Sequence, residues 1–169
     1  MRHVIQWLIS FILVLPSAAF ATDWVKVGSD READVYYDRE SLRIVQYIVK
    51  TDQNRNSWPT PFTPKALVIK VLYNYFVPTK CPQEICLEQP VSSMTLEDAI
   101  TCNDLNVFYE VSTTFTSGKF NFGQVVSHWE IGMHKWNFHY VEEKELTRRS
   151  SQTGPLTRKI LRELGHLCR

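Results

Sequence analysis

From residue 24 onward the apolar positions recur mainly at every second residue, the period of strands whose side chains point alternately to two faces. Val107 to Phe115 shows it most plainly. Val107, Tyr109, Val111, Thr113 and Phe115 fall on one side, with Glu110, Ser112 and Thr114 opposite, which predicts a half-buried strand. Gly123 to Ile131 sets Val125, Ser127, Trp129 and Ile131 against Val126, His128 and Glu130, and Lys135 to Val141, after Gly132, reads as its hairpin partner. Ala66 to Phe76 is rich in β-branched and aromatic residues on both phases and predicts a long strand buried on two faces. Trp24 to Val27, Val35 to Tyr37 and Leu42 to Lys50 are the earlier strands.

Turn chemistry separates these runs: Gly28 to Asp30, the prolines Pro59, Pro61 and Pro64, the stretch CPQEIC, and TSGKFNFG around Gly118 and Gly123. The connections are short, and no helical pattern lies between the strands to carry parallel crossovers. Antiparallel pairing follows. Only the tail changes period. After SSQTGP, Pro155 suits a first helical position, and Leu156, Ile160, Leu161, Leu164 and Leu167 form an apolar stripe that must pack on the sheet.

The start of the chain has a different character. MRHVIQWLISFILVLPSAAFA combines a basic opening, an apolar run from Trp7 to Leu15 and small residues at Ala19 and Ala21. This is the pattern of a secretory signal peptide over residues 1–21. The run stops at Pro16, short of the about 20 apolar residues that a spanning helix needs. The expected mature domain is 22–169, exported and, with no cysteine after the apolar run, not lipidated. Losing Arg2 with the signal turns 19 basic and 18 acidic side chains into 18 and 18. A neutral chain has no global field for nucleic acid or for an anionic surface. The basic bias after Glu142 is interrupted by acids and reads as a solvated face.

Four cysteines in an oxidising compartment allow three pairings. Spacing favours Cys81 with Cys86, closing a small loop that contains Pro82, and hence Cys102 with Cys168. A redox pair fits poorly, because four residues rather than two separate Cys81 from Cys86. A zinc site fits poorly too, since no C-x-x-C knuckle accompanies His166.

The segment WVKVGSDREADVYYDRESLRI, with its early tryptophan, the Tyr36-Tyr37-Asp38 strand end and Ser41, resembles the opening of the bacterial surface-adhesin protein E family. The second half matches its pattern as well: Cys102, the YEVSTTF strand, SGKFNFGQVV, Trp136 and LRELGHLC. The resemblance covers most of the mature chain. It implies an α+β, mainly β domain: a single curved antiparallel sheet of about six strands, whose concave side holds a C-terminal helix tethered by a disulfide. Members studied as adhesins look like lipoproteins of the outer membrane, a feature this chain lacks. The resemblance supplies no catalytic residues.

The chain's own residues supply none either. No HExxH, GxSxG, P-loop or dinucleotide fingerprint is present. His128, His134, His139 and His166 are expected to be solvated or packed; on one extended strand His134 and His139 point to opposite faces and cannot share an ion. No cofactor and no metal is expected. Among the aromatics, Trp129 and Trp136 are assigned to the core, and Phe120 and Phe122, in a glycine-flanked turn, to candidate partner binding. Arg55 and Trp58, amid prolines, are further candidate anchors. The function expected is an exported non-enzymatic binding or adhesion module of a Gram-negative envelope that recognises a protein or other macromolecule. A periplasmic structural or assembly factor ranks second, and a small hydrolase or a metal- or haem-binding protein last. No nucleic acid and no stable membrane insertion after signal cleavage are expected. A homodimer through a strand edge or the open face is.

Overall fold

The computed structural model describes residues 23–50, 62–80, 89–130, 134–135, 138–142 and 154–168. Among these described residues eight strands form one sheet. They are β1 (Trp24–Ser29), β2 (Ala33–Lys50), β3 (Lys65–Thr79), β4 (Val91–Thr101), β5 (Phe108–Thr116), β6 (Val125–Glu130), β7 (His134–Lys135) and β8 (Phe138–Glu142), and the helix α1 (Pro155–Leu164) follows. The order across the sheet is β6-β5-β4-β3-β2-β8-β7, with β1 beside the first half of β2 and β8 beside its second half. Every pairing is antiparallel except β2 with β8, where Gln46 to Lys50 run parallel to Phe138 to Glu142.

That parallel pair corrects the sequence reading of Lys135 to Val141 as the partner of β6. The segment breaks into its own short hairpin, β7 with β8, and joins the far edge of the sheet. The break also puts the His134 backbone opposite that of His139, so the two do not sit on one extended strand. No crossover helix is needed, because the sheet curls. Three residues link Glu130 to His134, a reach of about 14 Å at most, so the two outermost strands of the path lie close together. Side chains show the same curl. The Tyr109 hydroxyl on β5 lies 3.0 Å from Nδ1 of His139 on β8, whereas four flat strand spacings would separate those strands by roughly 19 Å.

Two main cores result, on opposite faces of β3, and a third, smaller cluster gathers Val91, Phe115 and Val126. The β3 residues Ala66 and Val68 join Val45, Tyr47, Ala99, Tyr109, Val111 and Val141 inside the curl. Leu67, Ile69, Val71 and Tyr73 join Ala33, Val35, Ile100 and Phe108 under the helix, which contributes Ile160 and Leu161 and so lies on the outer face of the curl, not on the concave side that the resemblance implies. The two-sided burial predicted for Ala66 to Phe76 therefore holds as far as Tyr73. Small residues of β3 and β4 face the large tyrosines inside the curl; large residues face the helix.

The alternation predicted for Val107 to Phe115 is observed across β5. In β6 a register shift opposite Phe115 and Thr116 inserts Val126, which is buried while Val125 is exposed. Trp129 packs against the inner core as predicted; Trp136 lies outside the described residues. The sequence reading omitted β4, the strand between β3 and β5. The helix packs Leu156, Ile160, Leu161 and Leu164 on the outer core. Leu167 departs from the predicted stripe and is exposed. Helix α1 ends at Leu164 and Gly165–Cys168 tightens to a 3₁₀ turn, whose three residues per turn rotate Leu167 off the face. Gly165 packs closely there: a Cβ would stand 3.0 Å from a Leu105 methyl, which would have to shift by a few tenths of an ångström.

Cys102 and Cys168 are bonded, at 66 residues of separation. On the loop-entropy model a closure of that length restricts the unfolded chain by about 4 kcal/mol. The bridge joins the end of β4 to the end of the helical tail, and the Tyr73 hydroxyl, 2.9 Å from Thr157 Oγ1, holds the other end of α1. Cys168→Ser should therefore speed amide exchange over Leu156 to Leu164 before it affects β3 and β4, measured by hydrogen exchange; uniform loss across sheet and helix would show that the bridge holds the whole fold. Cys81 and Cys86 lie outside the described residues, and non-reducing peptide mapping should join them to each other rather than to Cys102.

Buried phenols give a second expectation. Burial raises the pKa of Tyr109, Tyr73 and Tyr75, the last to about 12 from the ordinary 10.0 of a phenol. The unfolded chain therefore releases these protons first, so the stability they confer is complete below about pH 10 and is lost as pH rises toward 12. Melting temperature measured from pH 8 upward should fall beyond pH 10 together with the absorbance change of phenolate; a flat profile would contradict the burial.

Candidate functional site

The turn between β5 and β6, residues Ser117 to Gln124, folds back onto the sheet. It closes on itself through Ser117 N–H donating to Gln124 O at 3.0 Å, Gln124 N–H to Ser117 Oγ at 3.0 Å and Phe122 N–H to Lys119 O at 3.0 Å. Two glycines make this compaction possible. A Cβ on Gly118 would collide with the Phe122 carbonyl, and Gly123 has φ +90°.

Buried polar side chains of the sheet then clamp the loop. Ser93 Oγ donates to Gly118 O at 2.6 Å, lies 2.7 Å from Thr116 Oγ1, and accepts the Asn121 N–H at 3.0 Å. Asn74 Oδ1 accepts the Phe120 N–H at 3.2 Å. Ser93, Thr116 and Asn74 are all buried, so the polar groups that the loop presents to the sheet are satisfied there. The clamped backbone adopts left-handed angles at two non-glycine residues, Phe120 (φ 52°) and Asn121 (φ 61°). Asparagine tolerates that region; for phenylalanine it costs about 1–2 kcal/mol. The conformation persists because the hydrogen bonds over-determine it. The Phe120 ring meets Tyr36 edge to face at 5.3 Å between centroids. Below, Asp34 accepts from Lys26 at 2.7 Å and from Ser29 Oγ at 2.6 Å. The Lys26 ammonium and the Ser29 hydroxyl hold the Asp34 carboxyl below its usual range.

What the clamp presents is apolar. Phe122 is 73% exposed and Phe120 38%. Three neighbours in the topology add to them: Phe76 (49%) and Val77 (74%) at the end of β3, and Val125 (50%), paired with Thr116 at the start of β6. Of the nine exposed large hydrophobic residues among those described, five gather at this end of the sheet. At roughly 200 Å² per Phe, with somewhat less for Val, the five side chains together expose on the order of 500 Å² of apolar surface at this end of the sheet.

Phe120 and Phe122 are thus brought together, whereas Arg55 and Trp58 lie outside the described residues. Sequence reasoning missed Asn74, Ser93 and Thr116, whose neutral side chains carry no motif, and missed Phe76, which ended a strand read as buried, and Val77, which lay just beyond it. The histidines are dispersed. His128 is exposed, 2.8 Å from Thr114 Oγ1 and 3.6 Å from a Glu130 carboxylate oxygen; His166 Nδ1 lies 2.8 Å from the Glu163 carbonyl; His139 is buried beside Tyr109. Among the described residues no three His, Cys, Asp or Glu side chains group as a metal site would require.

No family model and no curated protein matches the chain. Among solved structures it is similar to the crystal structure of protein E from non-typeable Haemophilus influenzae, at 12% identity and a TM-score of 0.39, with 90% of this chain and 93% of that one covered. At those values the likeness is weak and at the level of the fold.

Removing the clamp tests its role. Ser93→Ala leaves the Gly118 carbonyl without that donor and Asn121 N–H without its acceptor, and should cost about 1–3 kcal/mol. Thermal melting should report the loss, with exchange rising first at 117–124; an unchanged melt would mean that the loop stands without Ser93.

Proposed function

We propose that this chain is an exported, non-enzymatic binding or adhesion module of a Gram-negative envelope, mature from Thr22, which attaches through the aromatic end of its sheet. The observation that carries this reading is the conjunction on one loop of buried satisfied hydrogen bonds, left-handed backbone at a phenylalanine, and apolar rings turned to solvent. Strain held in place by a rigid scaffold is a recurrent mark of functional loops. A loop already fixed loses less freedom on binding, so more of its contact energy becomes affinity. The signal-like opening and the Cys102–Cys168 bond suit an oxidising compartment. Among the described residues no helix is long and apolar enough to cross a membrane. Arg55 and Trp58, outside the described residues, are kept in the proposal as candidate anchors of a second contact.

The test compares the mature protein with the Phe120→Ala/Phe122→Ala double variant for retention on envelope fractions. Retention should fall at least tenfold while the melting temperature stays within about 3 °C, a surface-sized change in stability. Undiminished retention would remove the aromatic end from the function.

A further inference from the structure

On β4, Met94 stands directly opposite Tyr73 of β3 and Phe115 of β5. It packs against both the outer core and the smaller cluster around Phe115, and so does Tyr75, two residues beyond Tyr73 on the same face of β3. The Tyr75 hydroxyl donates to Met94 Sδ at 3.7 Å. Neither residue is sealed in the core, since both are half-buried. We propose that Met94 is a site of reversible oxidation, its thioether taken to the sulfoxide by a hydroperoxide and the new oxygen held by the Tyr75 hydroxyl.

The mismatch between donor and acceptor is the first argument. A phenol is a full donor, whereas a thioether is only a weak acceptor. Among the described residues the Tyr75 hydroxyl has no other hydrogen-bond partner. Burial, and after it the nearby Glu32, raises the Tyr75 pKa to about 12, so the proton to be donated is in place throughout the neutral range. An oxygen on Sδ would give that hydroxyl the stronger acceptor it lacks. Sulfoxide formation ordinarily disrupts a core, because it turns an apolar side chain polar. Here the donor that the oxygen needs is already aimed at the sulfur. Leucine would fill the place between Tyr73 and Phe115 at similar volume, so packing alone does not ask for sulfur.

The chemistry is the second. Sulfur carries two lone pairs, and a hydrogen bond from Tyr75 leaves one of them to attack the peroxide. An S–O bond forms and the O–O bond breaks. Sulfur gives two electrons to the peroxide, and the departing hydroxide takes the proton of the transferred hydroxyl and leaves as water. Rotation about the unbranched methionine side chain then turns the oxygen to the Tyr75 hydroxyl. Reversal takes two electrons and two protons from a dithiol through a methionine sulfoxide reductase, and releases the oxygen as water.

The inference is independent of what the aromatic end binds. Its test uses the mature full chain carrying Met133→Leu, which leaves Met94 as the one methionine after Thr22. The folded protein is treated with hydrogen peroxide, mapped by mass spectrometry and melted. Met94 should gain a single oxygen while the melting temperature stays within about 2 °C of the untreated protein. In Tyr75→Phe on the same background the oxygen has no donor, and oxidation should lower the melting temperature by about 4 °C or more. Sulfoxide reductases with a dithiol should restore the original mass. Where Tyr75→Phe does not fold, phenolate absorbance of the parent decides: a hydrogen bond to the sulfoxide favours the protonated phenol, so oxidation should move a titration step to higher pH, and a step unmoved or lowered rejects the proposal. Oxygen uptake only after unfolding, an equal fall in melting temperature with and without the Tyr75 hydroxyl, or a mass that the reductases leave unchanged overturns it.

Discussion

The contact between the Tyr109 hydroxyl and His139 marks the closure on which the rest of the fold depends. It can exist only if the sheet bends far enough for β5 and β8 to face one another across three intervening strands. Once it does, a three-residue link carries the chain from β6 to the opposite edge, and β8 can lie parallel to β2 without a helix over either face. The helix is thereby left to cover the outside of β3 and β4, where the bridge from Cys102 and the hydroxyl of Tyr73 hold its two ends. One long strand, β2, serves both neighbours on its outer side, and the register shift between Asp38 and Arg43 separates its two halves. Ser41 sits in that shift and returns the irregularity to the ladder, its Oγ donating to Asp38 O and accepting Lys70 N–H.

The same economy of buried polar groups builds the aromatic end. Ser93, Asn74 and Thr116 belong to three adjacent strands, and their side chains converge on one loop because the antiparallel register aligns them: Asn74 opposite Ser93, Ser93 opposite Thr116. The row spends three core positions on hydrogen bonds where apolar residues would have packed. Its return is a loop whose backbone is fixed while its rings remain in water. Stability has been traded for a particular surface, which is the physical sense in which that end of the sheet differs from the stapled one.

How much of this could be seen in the sequence depended on whether a signal was local. The strands β3, β5 and β6 announced themselves by period and residue type, and the helix by its stripe. The β4 strand did not. Val91 to Thr101 carries Glu97, Asp98 and Ala99 at its middle, residues disfavoured in strands, and burial on both faces removes the alternation that would have revealed it. Its Glu97 is held by Arg43 at 2.6 Å, a partner far away in sequence. Parallel pairing of β8 was invisible for a similar reason, because the short link to β6 reads as a hairpin whether or not the sheet curls. In the candidate site the two phenylalanines were legible from their glycine-flanked turn, while the clamp was not, since nothing local marks a serine or an asparagine as the point where a distant loop will land.

The division of β3 between two cores limits how the gene for such a chain can change in length. Losing or gaining one codon between Ala66 and Tyr73 would exchange the faces of every residue beyond it. Large side chains such as Ile69 and Tyr73 would be driven toward the tyrosine-filled curl and small ones toward the helix, and no neighbouring substitution restores both volumes at once. In descendants of this sequence, point changes can accumulate within that strand, but length variation is confined to the connections, so the spacing from Ala66 to Tyr73 should serve as a fixed ruler along which even very distant copies can be aligned.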